Sequence, residues 1–222
     1  IRGAARDFVQ TELLPGVIER DENQSFPAEK VKKLGELGFR GMMVSPKYGG
    51  AGMDTISYVL AMEEISKIDA STSVVMSVNN SLVCWGLETF GTEDQKQKYL
   101  TKLTSGKSLG AFSLSEPQSG SDASNMRTFA KRDGDNYIIN GTKNWVTNGI
   151  SSYIVFLMCM TVKNVGYKGI TTFVVEKSFD GLSTGKKEDK LGIRGSDTCE
   201  LYFDDCKVPV ENRIGEEGEG FK

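Results

Sequence analysis

Histidine is missing from all 222 residues, which removes imidazole both as a general base near neutral pH and as a metal ligand. Four cysteines, Cys84, Cys159, Cys199 and Cys206, stand far apart. They lack the C-x-x-C spacing of a zinc or redox motif, and they are too sparse for a disulfide framework. No cluster of Asp and Glu takes their place, so no metal site is expected, and the thiols suit a reducing compartment. No apolar run approaches the roughly 20 residues that a membrane helix needs. Ile1 to Val9 carries both signs of charge rather than a signal-peptide pattern, so the chain reads as soluble, without membrane insertion. Positive charge is not in excess either: 27 Lys and Arg stand against 30 Asp and Glu, a net −3. There is no basic stripe to neutralise a phosphate backbone, which argues against nucleic acid as a partner. Proton abstraction by this chain would fall to a carboxylate, a lysine or a tyrosine.

With 222 residues and 38% hydrophobic content, two domains are expected. Up to about Leu103 the apolar residues recur at helical spacing, as in Phe8-Val9-Leu13, Val31-Leu34-Leu37 and Val59-Met62-Ile65. Pro27 opens one helix and Gly38 follows its end, while Thr92 with Gln95 forms a capping box. Ser45 to Met53 reads as a Gly- and Pro-containing loop. Ser71 to Trp85, nearly uncharged, reads as a buried helix whose Asn79, Asn80 and Ser81 need partners, from a ligand pocket or from neighbouring helices. From Leu109 the period becomes two, with strand-forming runs at Leu109 to Leu114, Asn136 to Asn140, Tyr153 to Met160, Ile170 to Glu176 and Glu200 to Phe203. Asp133-Gly134-Asp135 is a hairpin turn. The expected fold is α+β and multidomain: an all-α helical domain over residues 1–108, then a β-barrel or sandwich-like domain over 109–222, with the boundary near Ser105 to Ser108. Ile1 reads as mid-helix and the closing Gly-Glu-Glu-Gly-Glu-Gly-Phe-Lys as a loop entering another element, so a longer parent chain is expected.

Two segments carry chemistry. In the first, Phe112-Ser113-Leu114-Ser115-Glu116-Pro117-Gln118-Ser119-Gly120-Ser121-Asp122, a strand runs into a Ser/Gly-rich loop. Alternation places Phe112, Leu114 and Glu116 on one face and Ser113 and Ser115 on the other, until Pro117 ends ladder pairing. The Gly120-Ser121 turn is an anion nest or simply part of a capped turn. The second segment, Asn140 to Gly149 (NGTKNWVTNG), is a strand flanked by turn residues, with Trp145 and Thr147 on one face. An aromatic plane beside a hydroxyl suits a planar heteroaromatic ring, and a core tryptophan with a paired N–H accounts for the same pattern.

Taken together, and with Lys168-Gly169-Ile170, Lys187 to Ser196, Phe203 to Pro209 and Gly218 to Lys222, these segments resemble the acyl-CoA dehydrogenase family collinearly over essentially the whole chain. The resemblance implies a helical domain, a middle β-domain and a further C-terminal helical domain that is absent from this chain. It implies FAD as cofactor, with Phe112, Leu114 and Ser115 lining the flavin and the Ser115 hydroxyl, where many relatives have threonine, near the pyrimidine edge. Gly120 and Ser121 match positions near the FAD pyrophosphate and the pantetheine-phosphate arm of CoA, so Ser121 is also a substrate-binding expectation. Trp145 matches the residue packed on the isoalloxazine and Thr147 the hydroxyl facing N5, with Val146 between them in the cofactor site, and Glu116 becomes structural.

The implied reaction removes the α-proton of an acyl-CoA thioester while the β-hydride passes to the flavin, giving a trans-2-enoyl-CoA. Electrons then go to an electron-transfer flavoprotein. The implied base is a glutamate beyond Lys222, so no catalytic residue is assigned within this chain, and the chain alone is expected to be inactive and to hold FAD weakly. Lys187 to Ser196 resembles short-chain, butyryl-type members, with Met76 to Gly86 contributing to the acyl pocket. The complete protein would be a homotetramer in a bacterial cytoplasm or a mitochondrial matrix. An oxygen-using acyl-CoA oxidase and a non-catalytic binding or assembly module with the same fold are the two other readings.

Overall fold

The computed structural model of the protein describes residues 1–221. Lys222, which ends both the second expected domain and the Gly218-to-Lys222 motif, lies outside the described residues. Two compact units form. One contains Ile1–Thr89, Glu93–Leu109 and Asp189–Asp197; the other contains Phe90–Thr92, Gly110–Glu188 and the chain from Thr198 onward.

The first unit is helical. Helix α1 (Arg2–Phe8) continues through a π-helical turn, Val9–Leu13, and is followed by α2 (Val17–Glu22), α3 (Ala28–Glu36), α4 (Thr55–Ser66) and α5 (Ala70–Ser77). A second π-helical turn, Val78–Cys84, leads from α5 into α6 (Trp85–Phe90); α7 (Glu93–Gln95), a third such turn and α8 (Thr101–Thr104) complete the set. Asp54 and Asp69 cap α4 and α5 by accepting from the Ser57 and Thr72 amides, filling donor positions that a helix start leaves open. Helix α3 follows Pro27, and Gly38 beyond its end has φ 81°, which a glycine adopts without steric cost. A side chain at Gly35 would place its Cβ 2.2 Å from the Gly106 Cα, so these two glycines let the backbones meet.

The core expected from Phe8, Val9, Leu13, Val31 and Leu34 is buried, but the inward face of α4 differs from expectation. Tyr58, Ala61 and Ile65 are buried, whereas Val59 is 54% exposed. Helix α4 is apolar on most sides, so spacing alone does not choose a face; packing against α1 and α5 does. Leu37 is likewise exposed, because α3 has already ended at Glu36. In the Val78–Cys84 turn, the Asn80 amide donates to the Phe39 and Met76 carbonyls and accepts from the Met42 N–H at 2.9 Å. The Asn79 amide donates to the Arg40 carbonyl, and the Ser81 hydroxyl to the Ser77 carbonyl. Helix and loop backbone thus satisfy the polar groups of the buried helix.

The second unit is a sheet with strand order β6-β7-β3-β2-β4-β5-β8 and β1 pairing with β4. The strands are β1 (Gly110–Ser113), β2 (Phe129–Asp133), β3 (Asn136–Thr147), β4 (Ile154–Met160), β5 (Ile170–Glu176), β6 (Leu182–Lys187), β7 (Thr198–Pro209) and β8 (Arg213–Ile214). The expected hairpin joins β2 to β3, with Asp133 paired to Asn136 and Gly134 at φ 58°. Its first strand, β2, was not among the expected runs, because Lys131, Arg132 and Asp133 are all exposed and show no alternation. Edge strand β6 escapes for the same reason and β8 through its two-residue length. The core centres on Tyr137, Ile139, Leu157, Phe173, Leu201 and Val208, with Tyr137 and Phe173 meeting edge to face at 4.8 Å. All four cysteines are buried free thiols. Among the described residues no helix is long and apolar enough to cross a membrane.

Candidate functional site

Both motif segments lie in the sheet unit. Along β1, Ala111 and Ser113 are buried and Phe112 half-buried, and Leu114 is half-buried just past the strand end, so the expected alternation holds that far. Glu116 departs from it. The strand ends at Ser113, and the Glu116 carboxylate is buried under the loop, accepting from the Arg127 amide at 2.6 Å and the Thr128 amide at 3.0 Å. A tight turn closes over Pro117 and Gln118, Glu116 and Ser119 exchanging backbone hydrogen bonds of 2.8 and 3.0 Å. The capped-turn reading therefore describes Glu116 to Ser119. Beyond it Gly120 and Ser121 are exposed, a Cβ at Gly120 would meet nothing within 4 Å, and neither backbone N–H is taken by another described residue. Free adjacent amides of this kind are what an anion nest requires.

The second segment is the end of β3, continuous from Asn136 and thus longer than the expected strand. Lys143 pairs with Leu201 and Val146 with Cys199, so β3 advances three residues while β7 advances two. This is a β-bulge. Lys143 and Val146 both point into the core, and Trp145, at φ 57°, is turned out and 62% exposed. The core reading of Trp145 is thereby excluded. A positive φ at a bulky residue is a strained backbone, a state that clusters at ligand sites. Val146, 1% exposed, has only its backbone to offer a ligand. Thr147 is half-buried beyond it.

Backbone carbonyls of β1 and the loop after it are tied to the second segment by several hydrogen bonds. The Lys143 ammonium donates to the Leu114 carbonyl at 2.8 Å, the Asn144 amide to the Ser115 carbonyl at 2.8 Å, and the Asn148 side-chain amide to the Gly110 carbonyl at 3.0 Å. The half-buried Ser115 and Thr147 hydroxyls and the exposed Ser121 hydroxyl have no side-chain partner among the described residues. What results is an outward aromatic plane, hydroxyls free to donate or accept, and an open pair of amides. That combination fits a planar heteroaromatic ring carrying a phosphate-bearing tail.

Residue-level reading missed Lys143. It is fully buried, donates to Glu116 Oε1 at 2.8 Å and lies 3.9 Å from the Met126 sulfur. Burial lowers its pKa against the opposing pull of Glu116. Burial also pushes Glu116 upward, but the Lys143 charge and the hydrogen bonds from Lys143, Arg127 and Thr128 outweigh it, leaving the carboxyl below its ordinary value. The available signal was a lysine at an inward position of a strand, which has to be paired. No group of three His, Cys, Asp or Glu able to hold a metal occurs among the described residues.

Comparison with known proteins identifies the family. Residues 1–107 match the acyl-CoA dehydrogenase N-terminal domain family and residues 111–206 the acyl-CoA dehydrogenase middle domain family. A short-chain-specific acyl-CoA dehydrogenase of Clostridium acetobutylicum is 47% identical over 221 residues, covering 100% of this chain and 58% of that protein. The three-dimensional structure of butyryl-CoA dehydrogenase from Megasphaera elsdenii superposes with a TM-score of 0.96 at 44% identity, over 99% of this chain and 58% of that one. A glutaryl-CoA dehydrogenase of Mycobacterium smegmatis in complex with FADH2 gives 0.92 at 35% identity, over 98% and 55%. The chain thus spans somewhat more than half the length of these relatives.

Proposed function

The chain belongs to the acyl-CoA dehydrogenase family, and from that premise we propose that it binds FAD and takes part in the α,β-dehydrogenation of a short acyl-CoA thioester to the trans-2-enoyl-CoA. The observation that carries this reading is the bulge in β3, which exposes Trp145 beside Thr147 while the Asn144 amide and the Lys143 ammonium hold the Ser115 segment next to it. FAD, when bound, supplies the acceptor for the hydride leaving the β-carbon. The indole of Trp145 packs against the ring face, the Thr147 and Ser115 hydroxyls hydrogen-bond its polar edge, and the Gly120-Ser121 amides receive phosphate. Phe112 and Leu114 add apolar lining, and Ser121 also faces the substrate arm.

The α-proton needs a carboxylate held near the ring. Glu116, the buried acid of the first motif, is committed to Lys143, Arg127 and Thr128, and, as the family resemblance implies, we assign the base to a residue outside this chain. An electron-transfer flavoprotein is the proposed acceptor and a homotetramer the proposed assembly, in a bacterial cytoplasm or a mitochondrial matrix.

Anaerobic addition of butyryl-CoA to the full-length protein tests the reading. Bleaching of the flavin band is the expected outcome, and the isolated 222-residue chain is expected to give none. A flavin band that survives a series of acyl lengths removes the substrate assignment; turnover by the isolated chain removes the assignment of the base.

A further inference from the structure

We propose that Lys143 and Glu116 are positioning residues for the ring-binding face: as a buried pair they set the spacing between the Ser115 segment and the Trp145–Thr147 bulge, and through it the affinity and electronic state of the bound ring. The inference rests on the flavin reading above. Neither residue reaches the exposed face itself; Lys143 is 0% and Glu116 5% exposed.

Their partners define the role. The Lys143 ammonium grips the loop after β1 at two points, the Leu114 carbonyl and the Glu116 carboxylate, both at 2.8 Å. The same carboxylate takes the Arg127 and Thr128 amides, immediately before β2. Three stretches of backbone that are remote in sequence therefore meet at one charge pair, one residue before the bulge begins. Ser115 lies between the two gripped loop positions, and its carbonyl accepts from the first bulged residue, Asn144.

Stability alone gives no reason for such a pair. Taking both ions out of water costs several kcal/mol each, and well-packed apolar replacements of buried pairs are often neutral or stabilising. A group in this place that fixes geometry has a use that an apolar pair lacks, because a carbonyl gripped by an ammonium is held in direction as well as distance. Displacement of a bound group by about 1 Å is enough to lower the effectiveness of a site by orders of magnitude.

The experiment uses the full-length protein with Lys143→Met, Glu116→Gln and both together. Lys143→Met alone strands a buried carboxylate and is expected to melt lowest. The double variant removes both charges, and the glutamine oxygen still accepts from one of the Arg127 and Thr128 amides, so the melting temperature of its flavin-free form is expected to recover well above that of Lys143→Met alone. FAD titration of that double variant is expected to show binding weakened by roughly tenfold or more, with a shifted visible flavin spectrum and midpoint potential. If melting recovers and FAD affinity, spectrum and potential all recover with it, the pair is structural only and the inference is overturned. Failure of the unsubstituted protein to bind FAD overturns the flavin reading together with this inference, whereas normal binding by every variant overturns this inference alone.

Discussion

In the helical unit Asn79 and Asn80 are buried and their amides find helix and loop backbone; in the sheet unit Ser115 and Thr147 are half-buried and their hydroxyls find no partner among the described residues. The same contrast extends to charge. Arg40 is buried among the helices with its guanidinium on the Gly106 and Ser108 carbonyls, and burial pulls its pKa down to about 10. These partners all lie within the unit, although the Arg40 Nε finds none among the described residues. In the sheet unit the buried pair Lys143–Glu116 is likewise partnered within the unit, but it sits beneath a strained bulge that turns an indole out of the protein. A polar group that is buried and paired reports on packing; a strained aromatic beside unpaired hydroxyls reports on something to be bound. The difference separates two sets of polar residues that look equally suggestive as letters.

The contrast is most directly broken at Asn80. Asn80→Ala leaves the Met42 amide and the Phe39 carbonyl without their partner, and urea unfolding is expected to show a loss of about 2 to 4 kcal/mol. FAD affinity per folded molecule should not move; if it falls in step, the helical asparagines belong to the ligand site. Trp145→Ala is the mirror experiment. With the side chain 62% exposed, unfolding free energy should stay within about 0.5 kcal/mol, while FAD binding weakens by up to about tenfold through lost stacking. A large loss of stability would return Trp145 to the core.

The smallest expected effect is in acid. Glu64 is held at about 2 by its hydrogen bonds from Arg6 and then Lys67, Glu12 at about 2 by Lys33 and Lys30, and Glu93 at about 2 by Lys47 and Tyr48. A carboxyl whose folded pKa lies below its unfolded value contributes stability that is fully present above the unfolded value, about 4.3 for glutamate. That contribution is lost as pH falls from there toward about 2. The helical circular-dichroism melt should therefore move down over this window, and Glu64→Gln should flatten the dependence. An unchanged slope in that variant would show that Glu64 does not carry it.

Much of the plan was legible in the residues. Period-three-and-four spacing followed by period-two spacing gave a helical region followed by a sheet, and the Asp133-Gly134-Asp135 turn stands where a glycine at positive φ is required. The motif order alone carried the family resemblance. Strand β2 was hidden because three of its five residues face solvent, and the inward face of α4 because almost every side of that helix is apolar. Glu116 was placed beside Phe112 and Leu114 by extending an alternation past the point where the strand stops.

The residue types suited to a planar cofactor and a phosphate, and proposed here to meet them, Trp145, Thr147, Ser115, Gly120 and Ser121, are fixed by the sequence, since side-chain chemistry is a local property. Whether they act together is not local. Lys143 and Glu116 are separated by 27 positions, and although period two from Tyr137 and Ile139 turns Lys143 inward, nothing in that spacing says that its partner will be the loop that carries Ser115. Tertiary structure decided that, along with the bulge that sends Trp145 outward, because a buried charge has to find its counter-charge and backbone partners wherever the fold brings them.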